Sequence, residues 1–290
     1  MAVEERDPHT GFLTTGHEWN GIKELNTPVP RPVYFFLIVT FLFAVGYWVL
    51  MPAWPGLSSY TRGLLGADDR RNVDASVQQA VLSRADWTRR IESEPYAQIQ
   101  ADARLMDVVR QSGRTLFGDN CAVCHGTDAK GGKGYPDLTV AATLFGRAPE
   151  ALAETIRVGI NSGHAEGRQS QMLAFGRDGM LQRAEIDKLT AYVRSLSSPT
   201  AEKPEAVAAG KVLFATNCAS CHGDDGAGNQ ELGAPDLTDS TWIYGGDAQS
   251  ILTSIWHGRQ GHMPNWDGRL SPIERKILAL YVADLERARK

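Results

Sequence analysis

The chain has 290 residues, 42% of them hydrophobic and 22% charged, with a formal net charge of −4. That length accommodates two globular domains. The slightly acidic balance offers no basic surplus for binding nucleic acid. Residues 1–32 are polar, with prolines at 8, 28, 30 and 32 and no sustained apolar period, and they read as an extended or locally ordered N-terminal tail. Val33 to Met51 then runs 19 residues without a charge. As a helix this run is roughly 28 Å long, close to the ~30 Å hydrocarbon core of a bilayer. Tyr34, Tyr47, Trp48 and Trp54 lie near its ends, where amphipathic rings favour the headgroup layer. A cleaved signal peptide would begin its apolar region nearer the N-terminus, so residues 33–53 are read as one permanent transmembrane helix. Lys23 and Arg31 on one side and Arg62, Arg70 and Arg71 on the other leave its orientation undecided by charge. Residues 54–108 place Trp87, Ile91, Ile99, Leu105, Val108 and Val109 on a charged, helix-tolerant background interrupted by Pro95. They predict a linker of short helices whose function the residues do not disclose.

All four cysteines fall in two runs, Cys121-Ala122-Val123-Cys124-His125 and Cys218-Ala219-Ser220-Cys221-His222. C-x-x-C-H is the attachment signature of c-type haem: two thioethers hold one porphyrin and the adjacent histidine binds its iron. A zinc ribbon would set its cysteine pairs roughly 15–20 residues apart. Here Cys121 and Cys218 are 97 positions apart, and a histidine follows each pair. Two covalent haem c groups are therefore expected. Such haems are attached outside the bacterial cytoplasm, which puts the N-terminus inside and the haem domains in the periplasm.

The sequence around the two motifs repeats itself. Gly113-Arg114-Thr115-Leu116-Phe117 matches Gly210-Lys211-Val212-Leu213-Phe214 at an offset of 97, and Pro136-Asp137-Leu138-Thr139 matches Pro235-Asp236-Leu237-Thr238 at 99. Ile156 and Gly159 match Ile255 and Gly258, and Tyr192-Val193 matches Tyr281-Val282. The fold class expected is mainly α, an N-terminal transmembrane helix followed by two tandem class I cytochrome c domains, 109–199 and 204–290, joined near the linker Ser197–Ala201. Helices are expected around Thr115–Phe117, Glu150–Gly159 and Arg183–Leu196, and around Lys211–Phe214, Ala248–Gly258 and Pro272–Leu285. Leu189, Tyr192, Val193 and Leu196 share one helical face, as do Ile277, Leu278, Tyr281, Val282 and Leu285.

A sixth iron ligand is sought downstream of each motif. Met263 in Gly261-His262-Met263-Pro264 resembles the methionine–proline loop of class I cytochromes, with His257 and His262 as rivals. In the first repeat about eight extra residues precede Met172, and Leu173 replaces the proline. His164 and Met180 compete with Met172 there. The axial set expected is His125, Met172, His222 and Met263. In class I cytochromes a proline carbonyl takes the proximal histidine's ring N–H, and Pro136 and Pro235 match it by position.

Asn20–Pro30 before the span, Tyr60-Thr61-Arg62-Gly63-Leu64-Leu65-Gly66 after it and the two haem domains together resemble the membrane-anchored di-haem subunit of cbb3-type cytochrome c oxidases, the CcoP/FixP family. The resemblance implies a non-catalytic subunit in the bacterial inner membrane. It would receive electrons from a soluble or tethered cytochrome c. It would pass them through a mono-haem subunit to the catalytic haem–copper subunit, which reduces oxygen in aerobic respiration and pumps protons. Two alternatives are a tethered di-haem cytochrome serving another periplasmic dehydrogenase or reductase and a di-haem peroxidase. The latter needs an open iron position that histidine–methionine ligation would close.

Overall fold

The computed structural model describes residues 5–140, 143–198 and 202–286. The linker expected around 197–201 lies outside the described residues from position 199 onward. The chain divides into two compact units, residues 1–82 and 83–290.

In the first unit the expected tail contains a hairpin, β1 (Thr14–Trp19) and β2 (Ile22–Leu25), paired antiparallel. Its turn is Asn20-Gly21, both at positive φ (54° and 85°), the requirement of a type I′ turn and of its Asn-Gly preference. Helix α1 (Arg31–Leu50) follows, with Pro32 in its first turn, where a missing N–H costs nothing. No residue of α1 is buried, and its mean hydropathy of 2.3 over 18 residues suits lipid. The chain then folds back on the end of α1. Leu64 and Leu65 donate their N–H groups to the carbonyls of Val49 and Leu50 at 3.0 Å each, satisfying acceptors that a helix C-terminus otherwise leaves open.

The expected series of short linker helices is instead one 25-residue helix, α2 (Asp69–Ser93), then α3 (Tyr96–Ala101). Asp102 caps α4 (Ala103–Asn120), accepting from the N–H groups of Arg104 and Leu105, so α4 runs unbroken from the linker into the first haem motif. The motifs form single turns, α5 (Ala122–His125) and, in the second repeat, α9 (Ala219–His222). The other helices are α6 (Pro149–Val158), α7 (Arg183–Ser197), α8 (Pro204–Asn217), α10 (Ala248–His257) and α11 (Pro272–Leu285). Reciprocal capping boxes, Gln182 with Glu185 and Ser271 with Glu274, start α7 and α11.

The two sequence repeats are in tandem, but the two hydrophobic cores are not. One core joins Phe117, Leu152 and Ile156 of the first repeat to Trp266, Leu278 and Val282 of the second. The other joins Ile186, Leu189 and Tyr192 of the first repeat to Phe214, Ile251 and Ile255 of the second. Helix α11 therefore packs on α4 and α6, while α7 packs on α8 and α10. The result is a nested lobe, residues 172–259, set inside an enclosing lobe made of 83–160 and 263–286. The boundaries 109–199 and 204–290 describe the repeats and not the lobes.

Helix contact within each lobe depends on a glycine. A Cβ on Gly113 would lie 2.6 Å from Tyr281 Cβ, and one on Gly210 only 2.1 Å from the Lys188 carbonyl oxygen. The linker also has a structural role. Ile91 and Ile99 are fully buried with Leu105, Val109, Ile277 and Leu280, and Lys276 Nζ donates to the carbonyls of Glu92 and Glu94. The end of α2 and all of α3 thus brace α11 against α4.

Candidate haem centres

Each motif is held as the first turn after a long helix. Cys121 N–H donates to the Phe117 carbonyl and Cys218 N–H to that of Phe214, both at 2.8 Å. The following turn sets the two cysteines of each motif on one helical face with the histidine next in line. Burial pushes the thiols of Cys121 and Cys218 up to about 11. It also lowers the basicity of His125 and His222 below the ordinary histidine range. The imidazoles are thus kept neutral, the form that binds iron.

His125 Nδ1 lies 3.3 Å from the Pro136 carbonyl oxygen, and His222 Nδ1 lies 3.0 Å from that of Pro235. A carbonyl can only accept, so Nδ1 carries the proton and Nε2 keeps a free lone pair. The loops that present these prolines are pinned alike. Leu138 N–H donates to the Ala129 carbonyl and Leu237 N–H to that of Gly226, at 2.8 Å each.

The methionines reach these motifs by crossing between repeats. Met263 packs in the core that holds Cys121, and Met172 in the core that holds Cys218. Met263 exchanges both backbone hydrogen bonds with Ile160, at 2.9 Å each. Met172 does the same with Arg259, at 2.8 and 3.1 Å. The within-repeat pairing expected from chain order, Met172 with His125 and Met263 with His222, does not match this packing, which puts Met263 in the core of the His125 motif and Met172 in that of the His222 motif. The physical reason is connectivity. The N-terminal and C-terminal helices of this fold pack on each other, and only residues 198–203 separate α7 from α8. Helices so closely linked pair as antiparallel neighbours.

The rivals lie elsewhere. His164 accepts from the Glu166 N–H and sits 3.6 Å from Asp267. His262 Nδ1 donates to the Asn161 carbonyl, Met180 is half exposed, and His257 ends α10 exposed.

The residues fit a haem. His125, Cys121, Pro136 and Met263 line one cavity of about 640 Å³ whose other walls include Phe117, Leu152, Ile156 and Leu278. Thr143 Oγ1 on this wall is buried with no hydrogen-bond partner, as expected where a haem carboxylate would be its acceptor. Pro235, Asp236 and Gln230 of the nested lobe complete the cavity, so the two centres share a wall. Sequence reasoning missed Thr143. It also missed Arg147, whose guanidinium donates to the carbonyls of Val140, Leu138 and Val282 and so ties α11 to the first repeat. No motif marks either residue, because Arg147 meets backbone carbonyls and Thr143 would meet the haem.

Three family models cover most of the chain. The N-terminal domain of cytochrome oxidase-cbb3, FixP, matches residues 12–58. Cytochrome c matches 111–197, and cytochrome c oxidase, cbb3-type, subunit III, matches 205–282. A cbb3-type cytochrome c oxidase subunit FixP from Bradyrhizobium sp. (strain ORS 278) is 44% identical over 281 residues, 97% of each chain. FixP from Azorhizobium caulinodans is 44% identical over 275 residues, covering 95% of this chain and 93% of its own. A CcoP subunit from Azospirillum sp. (strain B510) is 38% identical over 293 residues, covering 98% and 99%. With a FixP-type anchor, two cytochrome c domains and this identity along nearly its whole length, the chain belongs to the FixP/CcoP family, the electron-transferring subunit III of cbb3-type cytochrome c oxidases.

Proposed function

We propose that this chain is an inner-membrane electron relay with two covalent haem c groups, its N-terminus cytoplasmic and both lobes periplasmic. It delivers electrons from a cytochrome c donor, through a mono-haem subunit, to the oxygen-reducing haem–copper subunit, and catalyses no reaction itself. Bound haem c supplies a one-electron ferric/ferrous couple. The chain's own residues do the rest. Cys121 with Cys124, and Cys218 with Cys221, anchor each group covalently. The carbonyls of Pro136 and Pro235 orient His125 and His222 through Nδ1–H. Met263 would supply the sixth ligand of the group at His125 and Met172 that of the group at His222, and histidine–methionine ligation would raise the potential into the range suited to electron transfer. Phe117 with Leu278, and Phe214 with Leu189, keep water from the two centres.

The observation that carries this reading is the doubled arrangement itself: each cysteine–cysteine–histidine turn has its proline carbonyl and one methionine packed in its core. Two such closed centres leave no position for peroxide. Mild solubilisation of native membranes followed by affinity capture of this chain tests the assignment. Haem b, copper and a mono-haem cytochrome should copurify with it. Capture with a quinoprotein dehydrogenase or another reductase, without copper, would overturn the oxidase assignment.

A further inference from the structure

The extra residues of the first repeat begin at Asn161, which adopts the left-handed conformation at φ 50°. They close on themselves, since Asn161 N–H donates to the Arg168 carbonyl and Arg168 N–H to that of Gly159. The Asn161 side chain then reaches both strands that carry methionine. Its Nδ2 donates to the Ser170 carbonyl at 2.8 Å and to the Gly261 carbonyl at 2.6 Å. Its Oδ1 accepts from Ser170 N–H at 3.2 Å, and its own carbonyl accepts from His262 Nδ1 at 2.9 Å. Ser170 stands two residues before Met172, and Gly261 two residues before Met263. One amide thus spends both its N–H groups and its oxygen on the two strands that feed opposite centres.

We infer that Asn161 is a positioning residue shared by both haem centres, a clamp that holds the strands of Met172 and Met263 in register so that losing it loosens both sixth ligands together. This inference rests on the crossed ligation described above. The insertion is then the device that fixes the crossing, which explains why it interrupts only the first repeat: one clamp serves both strands.

The test uses the full-length, haem-loaded chain in detergent with the substitution Asn161→Gly, which keeps the left-handed backbone and removes only the side chain. Cyanide added to the ferric protein reports how readily methionine leaves each iron. Losing the three side-chain hydrogen bonds should speed displacement on the order of tenfold at both haems, with haem content and helical circular dichroism unchanged. Unchanged rates, or acceleration at one haem alone, would overturn the clamp. If Asn161→Gly fails to mature, the isosteric Asn161→Asp, which lacks both donors, carries the same expectation. Amide hydrogen exchange separates this inference from the ligation it rests on. If wild-type protein lacks the methionine–iron absorption, the ligation assignment fails; faster exchange at both Met172 and Met263 in the variant then still supports the clamp. Unchanged exchange at either residue overturns it.

Discussion

Gly159 and Gly258 hold the point where the chain crosses. Their backbones lie at φ 70°, ψ −175° and φ 69°, ψ 177°, a region essentially closed to residues with a side chain. A Cβ on Gly159 would stand 2.4 Å from the Met263 carbonyl oxygen, and one on Gly258 the same distance from that of Met172. The two glycines match in the repeat, yet each touches the other repeat's methionine. Gly159→Ala should cost about 1–3 kcal/mol from backbone strain alone, with the clash in addition. Denaturant unfolding measures that cost. The same variant should weaken methionine ligation at the haem on Cys121 and Cys124 while sparing the other, and Gly258→Ala should do the reverse. The two cysteine–histidine turns were legible in the sequence because the C-x-x-C-H spacing is itself the signal. Asn161 and Thr143 were not legible, since their value lies in partners distant along the chain or in the haem.

Helices α7 and α11 carry nearly the same apolar face, and this likeness is why the sequence shows two helical repeats but not which helix joins which core. Leu189 and Leu278 are both fully buried, one in each core. Leu278→Ala should cost about 2–5 kcal/mol. In thermal unfolding followed by haem absorption, the damage should fall first on the haem of the first motif, although Leu278 belongs to the second repeat. Damage confined to the haem at Cys218 would contradict the nested arrangement. Helix positions were otherwise readable from periodicity and caps: Pro272–Leu285 is as expected, and α6 and α10 end one residue before the glycines that stop them. The hairpin at 14–25 was overlooked although Asn20-Gly21 marks its turn, because its strands lack a buried face to impose alternation. The packing of the end of α2 and of α3 in the enclosing lobe could not be read from their sparse apolar residues, whose partners Ile277 and Leu280 lie some 180 positions downstream.

At the largest scale, nesting turns the two repeats into one interlocked body. A lone haem domain of this size buries little surface. Here each lobe borrows a helix from the other repeat, and one cavity draws walls from both. Neither repeat can move away from the other without breaking a core, which keeps the two centres at a fixed separation, as a relay requires. The crossing is the central claim, and it is tested most directly by nuclear magnetic resonance of the reduced, full-length chain with methyl-labelled methionine. The ligand methyl of Met263 should show proximity to Phe117 and Leu152, and that of Met172 to Phe214 and Ile251. The opposite pattern, Met263 beside Phe214 and Met172 beside Phe117, would contradict it.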